Sequence, residues 1–251
     1  MRILLMFFIL LLPMQAWAII NAEGLGVSVD KEGMNGKAGL SVNGSSGNTD
    51  KINGEGSGRL AWKHGEHTEI LAVSYAYGKS RGQRDTNKSF VHLRHRYALD
   101  KAWDVEAFAQ AQQNEFARLK LRTLFGGGLR WGQQDDDWRT YLGLGSFYES
   151  ETLSSTAANA APPRTRLWRG NAYGTLYYAL NDRVGFQNTL YFQPAWKDAV
   201  DYRLLENAAM TVKLTETLDL RLSLEIEKDS RPPTGVKSTD TSYKTGLEYR
   251  F

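Results

Sequence analysis

Thr241-Ser-Tyr-Lys-Thr-Gly-Leu-Glu-Tyr-Arg-Phe251 is the stretch whose reading decides the fold. Tyr243, Leu247, Tyr249 and Phe251 fall on one face at odd positions, and Lys244, Glu248 and Arg250 fall on the other. A period of two is that of a strand with one apolar and one polar side. Two readings stand open at this point. One is an ordinary sheet strand, and the other is the closing strand of a barrel whose outer face meets lipid.

The same period recurs upstream. From Met34, residues Ala38, Leu40 and Val42 alternate with polar neighbours, and Ser46-Gly47-Asn48-Thr49-Asp50 forms a tight turn of residues tolerant of positive φ. Ile52 to Trp62 is the return strand. Leu71, Val73, Tyr75 and Tyr77 share a face, then a polar loop is expected from Lys79 to Lys88. Val91, Leu93 and Tyr97 oppose His92, Arg94 and Arg96. Further alternating runs span Trp103 to Ala111, Leu119 to Trp131 and Trp138 to Tyr148. Glu149 to Arg166 reads as the longest polar interruption, followed by runs from Trp168, Val184, Tyr202 and Leu218 and a polar loop from Lys228 to Asp240. The count is about twelve strands, each long enough to cross a bilayer when tilted.

Two features favour a membrane barrel over a soluble sandwich. Short connectors at His64, Asp100, Gly132, Asn181 and Thr215 alternate with a set that includes the long ones at Lys79, Glu149 and Lys228. Short turns at one end and longer loops at the other suit an outer-membrane barrel with both termini periplasmic. Aromatics also gather beside the connectors. Trp62, Tyr97, Trp103, Trp131, Trp138, Tyr178 and Phe251 flank the short turns, whereas Tyr77, Tyr148, Trp168, Trp196 and Tyr243 flank the other set. Amphipathic rings collect at membrane interfaces, so two girdles are implied. The fold class expected is therefore all-β, an antiparallel up-and-down transmembrane barrel.

The beginning of the chain carries a targeting pattern. Arg2, the apolar run Ile3 to Pro13 and the small-x-small site Ala16-Trp17-Ala18 read as a cleaved signal peptide over 1–18. Residues 19–33 then form a mature N-terminal arm, and 34–251 the barrel. Charged residues make up 24% of the 251 and mean hydropathy is −0.46. A barrel hides from bulk hydropathy, because only alternate strand residues meet lipid. There is no cysteine, hence no disulfide and no lipidated anchor. A net charge of +3 gives no ground for nucleic-acid binding.

No chemistry-bearing motif stands out. Gly54-Glu-Gly-Ser-Gly58 lacks the helix that a phosphate loop needs, and glycines within strands mark curvature or close approach, as also at Gly126-Gly127-Gly128. Of the four histidines, His64 and His67 share a turn, where a metal would need further ligands, and His92 and His95 point to opposite faces. His95 alone suggests a lipid-acting enzyme, without a nucleophile motif in support. No catalytic, cofactor or metal residues are assigned.

The polar face is the better clue. His92, Arg94, Arg96, Lys120, Arg122, Arg130, Arg139, Arg169, Arg203, Arg221, Glu225 and Glu227 are the candidate lumen-lining residues. Arginines paired with glutamates would fill the interior. Arginines lining water would make an anion-preferring pore. Both remain open, with weak basal conductance expected.

The ending Tyr243, Leu247, Tyr249, Phe251 resembles the C-terminal signal of bacterial outer-membrane barrels, which implies recognition by the barrel-assembly machinery. Ala38 to Lys51, with Ser46-Gly47-Asn48-Thr49, also resembles the salt-induced outer-membrane protein family, the YdiY-like domain of unknown function. Leu60-Ala-Trp-Lys63, Tyr75-Ala-Tyr-Gly78, Phe125-Gly-Gly-Gly-Leu-Arg-Trp131 and Gly246-Leu-Glu-Tyr-Arg-Phe251 fit it too. The resemblance implies an outer-membrane barrel and offers no catalytic residues. The expected role is a non-catalytic envelope component or small, mostly filled pore. An anion or acidic-solute channel is the alternative, and a lipid-acting enzyme the less favoured one. Partners expected are outer-membrane lipid, lipopolysaccharide, the assembly machinery and a small anionic solute, with no nucleic acid.

Overall fold

Twelve strands follow one another without a helix in the computed structural model of the chain, which describes residues 32–45, 51–155 and 161–251. They are β1 (Gly33–Ser45), β2 (Lys51–His64), β3 (His67–Ser80), β4 (Gln83–Ala98), β5 (Trp103–Asn114), β6 (Leu119–Gln134), β7 (Trp138–Leu153), β8 (Arg164–Ala179), β9 (Val184–Ala195), β10 (Asp198–Lys213), β11 (Leu218–Asp229) and β12 (Thr239–Arg250). The expected signal peptide, nearly all of the 19–33 arm and the Ser46–Asp50 turn lie outside the described residues. Each strand pairs antiparallel with its sequence neighbours, and β1 pairs with β12, so the sheet closes into a barrel. Closure removes the unpaired edge that an open sheet of this size would carry.

Alternation then sorts every strand into an inner and an outer row. In β3, Ile70, Ala72 and Ala76 are buried while Leu71, Val73, Tyr75 and Tyr77 are exposed. Across the barrel the sorting is inverted relative to a soluble protein: Leu40, Leu93, Phe125, Leu144, Leu190 and Leu247 face outward, and arginines and glutamates are buried inside. An outer belt this apolar is made for hydrocarbon, and strands of 12 to 16 residues are long enough to span it. Exposed aromatics edge the belt at both ends. Trp62, Tyr97, Trp103 and Tyr178 lie at the end where every connector has two to four residues, here the near end, and Tyr148, Trp168, Trp196 and Tyr243 lie at the far end.

Three connector expectations change. The polar stretch Lys79–Lys88 is no loop: β3 and β4 run through it to a two-residue turn at Arg81-Gly82. Both turn residues are left-handed, with φ of 50° and 75°, the twist that suits a tight hairpin. The interruption at Glu149–Arg166 shrinks to 154–163, because Glu149 and Glu151 belong to β7 and point inward. The loop at Lys228–Asp240 shrinks to 230–238. Polar residues in these stretches face the lumen or lengthen the strands at the far end, so hydrophilicity alone misplaces the boundaries.

Two local features shape the lumen. At Gly128 and Gly145, which pair across β6 and β7, a side chain on either residue would collide with the backbone of the opposite strand, so the strands press closer than any other residue permits. The outward glycines of β2 behave differently, since Gly56 has nothing within 4 Å of where its side chain would stand. At the far end, Arg118 donates to Ser154 O at 3.1 Å and Thr234 O at 3.0 Å, and Val236 packs on Ala117, Leu119 and Leu153. The 230–238 loop therefore leans from β11 and β12 onto the β5–β6 turn.

Candidate functional site

Inward positions of β4 to β11 bring cations and carboxylates together in two clusters. In the first, Glu106 of β5 accepts from Arg94 at 3.3 Å, Arg96 at 3.4 Å and the Tyr173 hydroxyl at 2.9 Å. Arg94 also donates to His92 at 3.3 Å and lies 5.7 Å from the centre of the Phe108 ring. The second cluster centres on Glu149, 1% exposed, which bonds Arg203 closely, meets Arg169 at 3.3 Å and lies 3.8 Å from Arg122. Glu151 takes Arg122 at 2.5 Å and Arg203 at 3.0 Å, Asp229 takes Arg203 at 3.2 Å, and Asp201 takes Arg169 at 2.9 Å. Every guanidinium here is shared among carboxylates from other strands. Such charges are tolerable away from bulk water only because they are paired and hydrogen-bonded.

Apolar side chains fill the gaps between the clusters. Phe108, Leu124 and Phe147 form one buried group, and Tyr173, Tyr191 and Leu205 another. Gly143 leaves the space that the Tyr173 ring occupies. This side of the lumen is called the charged wall below.

The wall formed by β11, β12, β1, β2 and β3 is built differently. Ser223, Ser41, Ser57 and Ser74 point inward and line a cavity of about 110 Å³. Ion pairs here include Lys244 with Glu55 at 2.9 Å, Lys37 with Glu248 at 3.3 Å, Arg221 with Glu248 at 3.6 Å and Arg250 with Asp219 at 3.0 Å. At the near end the lumen widens into a vestibule of about 680 Å³ whose lining includes Lys37, Arg139, Lys213, Arg221 and Arg250. Arg139 lies 5.2 Å from the Tyr177 ring centre there.

Of the candidate lumen residues, the structure buries His92, Arg94, Arg96, Arg122, Arg130, Arg169, Arg203, Glu225 and Glu227 inside the barrel. Arg139 and Arg221 line the vestibule, half-buried. Lys120 is a correction, since it is exposed and does not face the lumen. A register shift between Leu119 and Leu121 inserts one extra residue into β6, turning Leu119 inward and stranding Lys120 at the bulge. Tyr243, Leu247, Tyr249 and Phe251 lie exposed on the outer side, and Phe251 exchanges backbone hydrogen bonds with Gly36 at 2.9 and 3.1 Å while its ring covers Gly36.

Sequence reasoning missed Glu149 and Glu151, the residues on which the second cluster turns. Continuing the parity of Leu142, Leu144 and Tyr148 by three residues would have placed both inward. His92 and His95 do point to opposite sides, the first buried and the second half-buried on the outer side. Outside the near end, His64 and His95 each lie 3.0 Å from the Glu69 carboxylate. Among the described residues no group of three such side chains is arranged to hold a metal ion. The hydrogen-bond partner of His95 is thus a glutamate, and no nucleophile accompanies it in that contact.

Residues 38–251 match the family described as protein of unknown function, DUF481. No curated protein matches the chain. Among solved structures, the NanC porin is similar in fold, with 14% identity and a TM-score of 0.50 over 86% of this chain and 98% of the other. The translocator domain of the autotransporter NalP from Neisseria meningitidis is similar to the same degree, with 12% identity and a TM-score of 0.50 over 89% of this chain and 90% of the other.

Proposed function

The chain belongs to that family of unknown function, and from this premise we propose that it is a non-catalytic outer-membrane barrel of the bacterial envelope whose lumen is closed at rest. The observation that carries the reading is Glu149, bridged at once to Arg122, Arg169 and Arg203 across the interior. A wide porin keeps its charges on the rim of a water channel. Here they pair with one another and cross-link β6, β7, β8 and β10 along one side of the lumen. The apolar outer belt and its two aromatic edges support the membrane location, and the short turns at the near end support placing that end in the periplasm. On this reading, lipid and lipopolysaccharide surround the belt, and Phe251, closing against Gly36, is part of what the assembly machinery reads.

Solute passage in this reading is limited to the serine-lined side. Opening the second cluster exposes three guanidinium groups together with the carboxylates of Glu149, Glu151, Asp201 and Asp229, and Glu149→Gln removes one of those carboxylates, so the substitution shifts any leak toward anions. Liposome swelling tests the resting state. Vesicles holding the wild-type protein should swell in isosmotic arabinose no faster than empty vesicles, and Glu149→Gln should accelerate them. Rapid swelling with the wild type would refute the closed lumen. Deleting Phe251 should reduce the heat-modifiable folded form in membranes, and unchanged levels would remove that residue from assembly.

A further inference from the structure

Pairing between β1 and β12 is confined to Lys37–Leu40 against Leu247–Arg250, with the Gly36–Phe251 hydrogen bonds below it. Both strands continue toward the far end. β1 stays paired with β2 as far as Ser45, and β12 stays paired with β11 as far as Thr239. Above Leu40 and Leu247, no pairing among the described residues joins β1 to β12. The ladder therefore stops partway up this seam while both strands run on. Unsatisfied backbone groups in hydrocarbon cost several kcal/mol each, so such a gap calls for something to meet them.

The serine-lined cavity lies where the ladder stops. Its lining includes Ser41 and Lys244 from the inner rows of the two seam strands and Leu40 and Leu247 from their outer rows. Ser41, Lys244 and Gly246 all stand above the last pair of the ladder, so the cavity backs onto the unpaired part of the seam. Gly246 stands at the top of the closed part, where a side chain would come within 3.1 Å of Leu40 O. On the inner side, Lys244 reaches past β1 to Glu55 of β2, a latch of side chains in place of backbone.

We propose that this seam is a lateral portal through which a small single-chain amphiphile with a neutral, hydrogen-bonding head passes between the membrane and the serine-lined cavity. The outer leucines suit the apolar chain. Hydroxyls of Ser41, Ser57, Ser74 and Ser223 suit the head, and a neutral one is favoured because the adjacent charges already pair as Lys244 with Glu55 and Arg221 with Glu248. A cavity of about 110 Å³ admits a small head and excludes a bulky phospholipid headgroup. The proposal rests on the seam alone and does not require the lumen to be closed along its axis.

The test uses the full chain in phospholipid vesicles with a monoacylglycerol that carries a photoactivatable diazirine beside its glycerol head. Irradiation of the wild type should label inward residues of the cavity, among them Ser57 and Ser223, as well as the outer surface. Val42→Cys with Thr245→Cys sets cysteines where the ladder would continue, in a chain that has no other cysteine. Closing that disulfide should abolish inward labelling and leave outer labelling intact, and reduction should restore it. If the disulfide does not form, Ser223→Trp fills the cavity and should abolish inward labelling alone. Labelling confined to the outer surface in the wild type, or inward labelling that survives both variants, overturns the portal. Inward labelling together with rapid arabinose swelling would instead overturn the closed lumen and leave the portal standing.

Discussion

The charged wall and the serine wall enclose one lumen and hold it by different means. In the charged wall, each carboxylate is shared: Glu106 by Arg94, Arg96 and Tyr173, and Glu149 by three arginines. Removing one member strands the rest where water is scarce. In the serine wall four serines stand among the ion pairs and a cavity remains, so removing one hydroxyl strands little. The backbone follows the same division. Pairing between β7 and β8 runs unbroken from Trp138 to Thr152, and pairing between β1 and β12 stops partway along the seam.

Glu149→Ala should have the largest effect, since it leaves Arg122, Arg169 and Arg203 around an empty centre. Breaking a buried pair from one side costs about 3–5 kcal/mol. Urea unfolding in detergent, followed by tryptophan fluorescence, measures it, and a loss below about 1 kcal/mol, the scale of an exposed ion pair, would mean that water already screens this cluster. Arg94→Glu, which sets a second carboxylate against Glu106, should destabilise for the same reason. Tyr173→Phe should cost less, about 1.5–3 kcal/mol, the worth of one hydrogen bond to a charged group. An unchanged midpoint would show that the Tyr173–Glu106 contact carries no weight. Ser57→Ala in the opposite wall should fall within about 1 kcal/mol of wild type, as deletion of a lone hydroxyl does. A loss as large as that of Glu149→Ala would erase the distinction between the walls. Lys120→Ala, outside both, should stay within about 0.5 kcal/mol.

Much of this was legible in the sequence because strand parity is strict. Alternation around Val91, Leu93, His92 and Arg94 assigns inside and outside without coordinates. Parity fails where a bulge intervenes, and Lys120 was misplaced for that reason. Boundaries failed where inward polar residues continue a strand at the far end: Glu149 and Glu151 read as loop although they hold the second cluster, and Lys79–Lys88 read as loop although it is a tight hairpin. Long-range partners were not legible at all. Arg203 and Glu149 lie 54 residues apart, and which arginine meets which glutamate depends on how twelve strands stagger around the barrel. The broken seam likewise has no sequence signature, because Ser41–Ser45 and Thr239–Gly246 are ordinary strand residues on either side of it.

Ionic conductance across a planar bilayer tests most directly the claim that a lattice of paired charges closes the lumen. Wild-type protein should give little steady current above the bare membrane, and Glu149→Gln should give a larger current whose reversal potential in a salt gradient is shifted toward anions relative to the residual wild-type current. A large, steady, cation-selective current from the wild type would contradict the account.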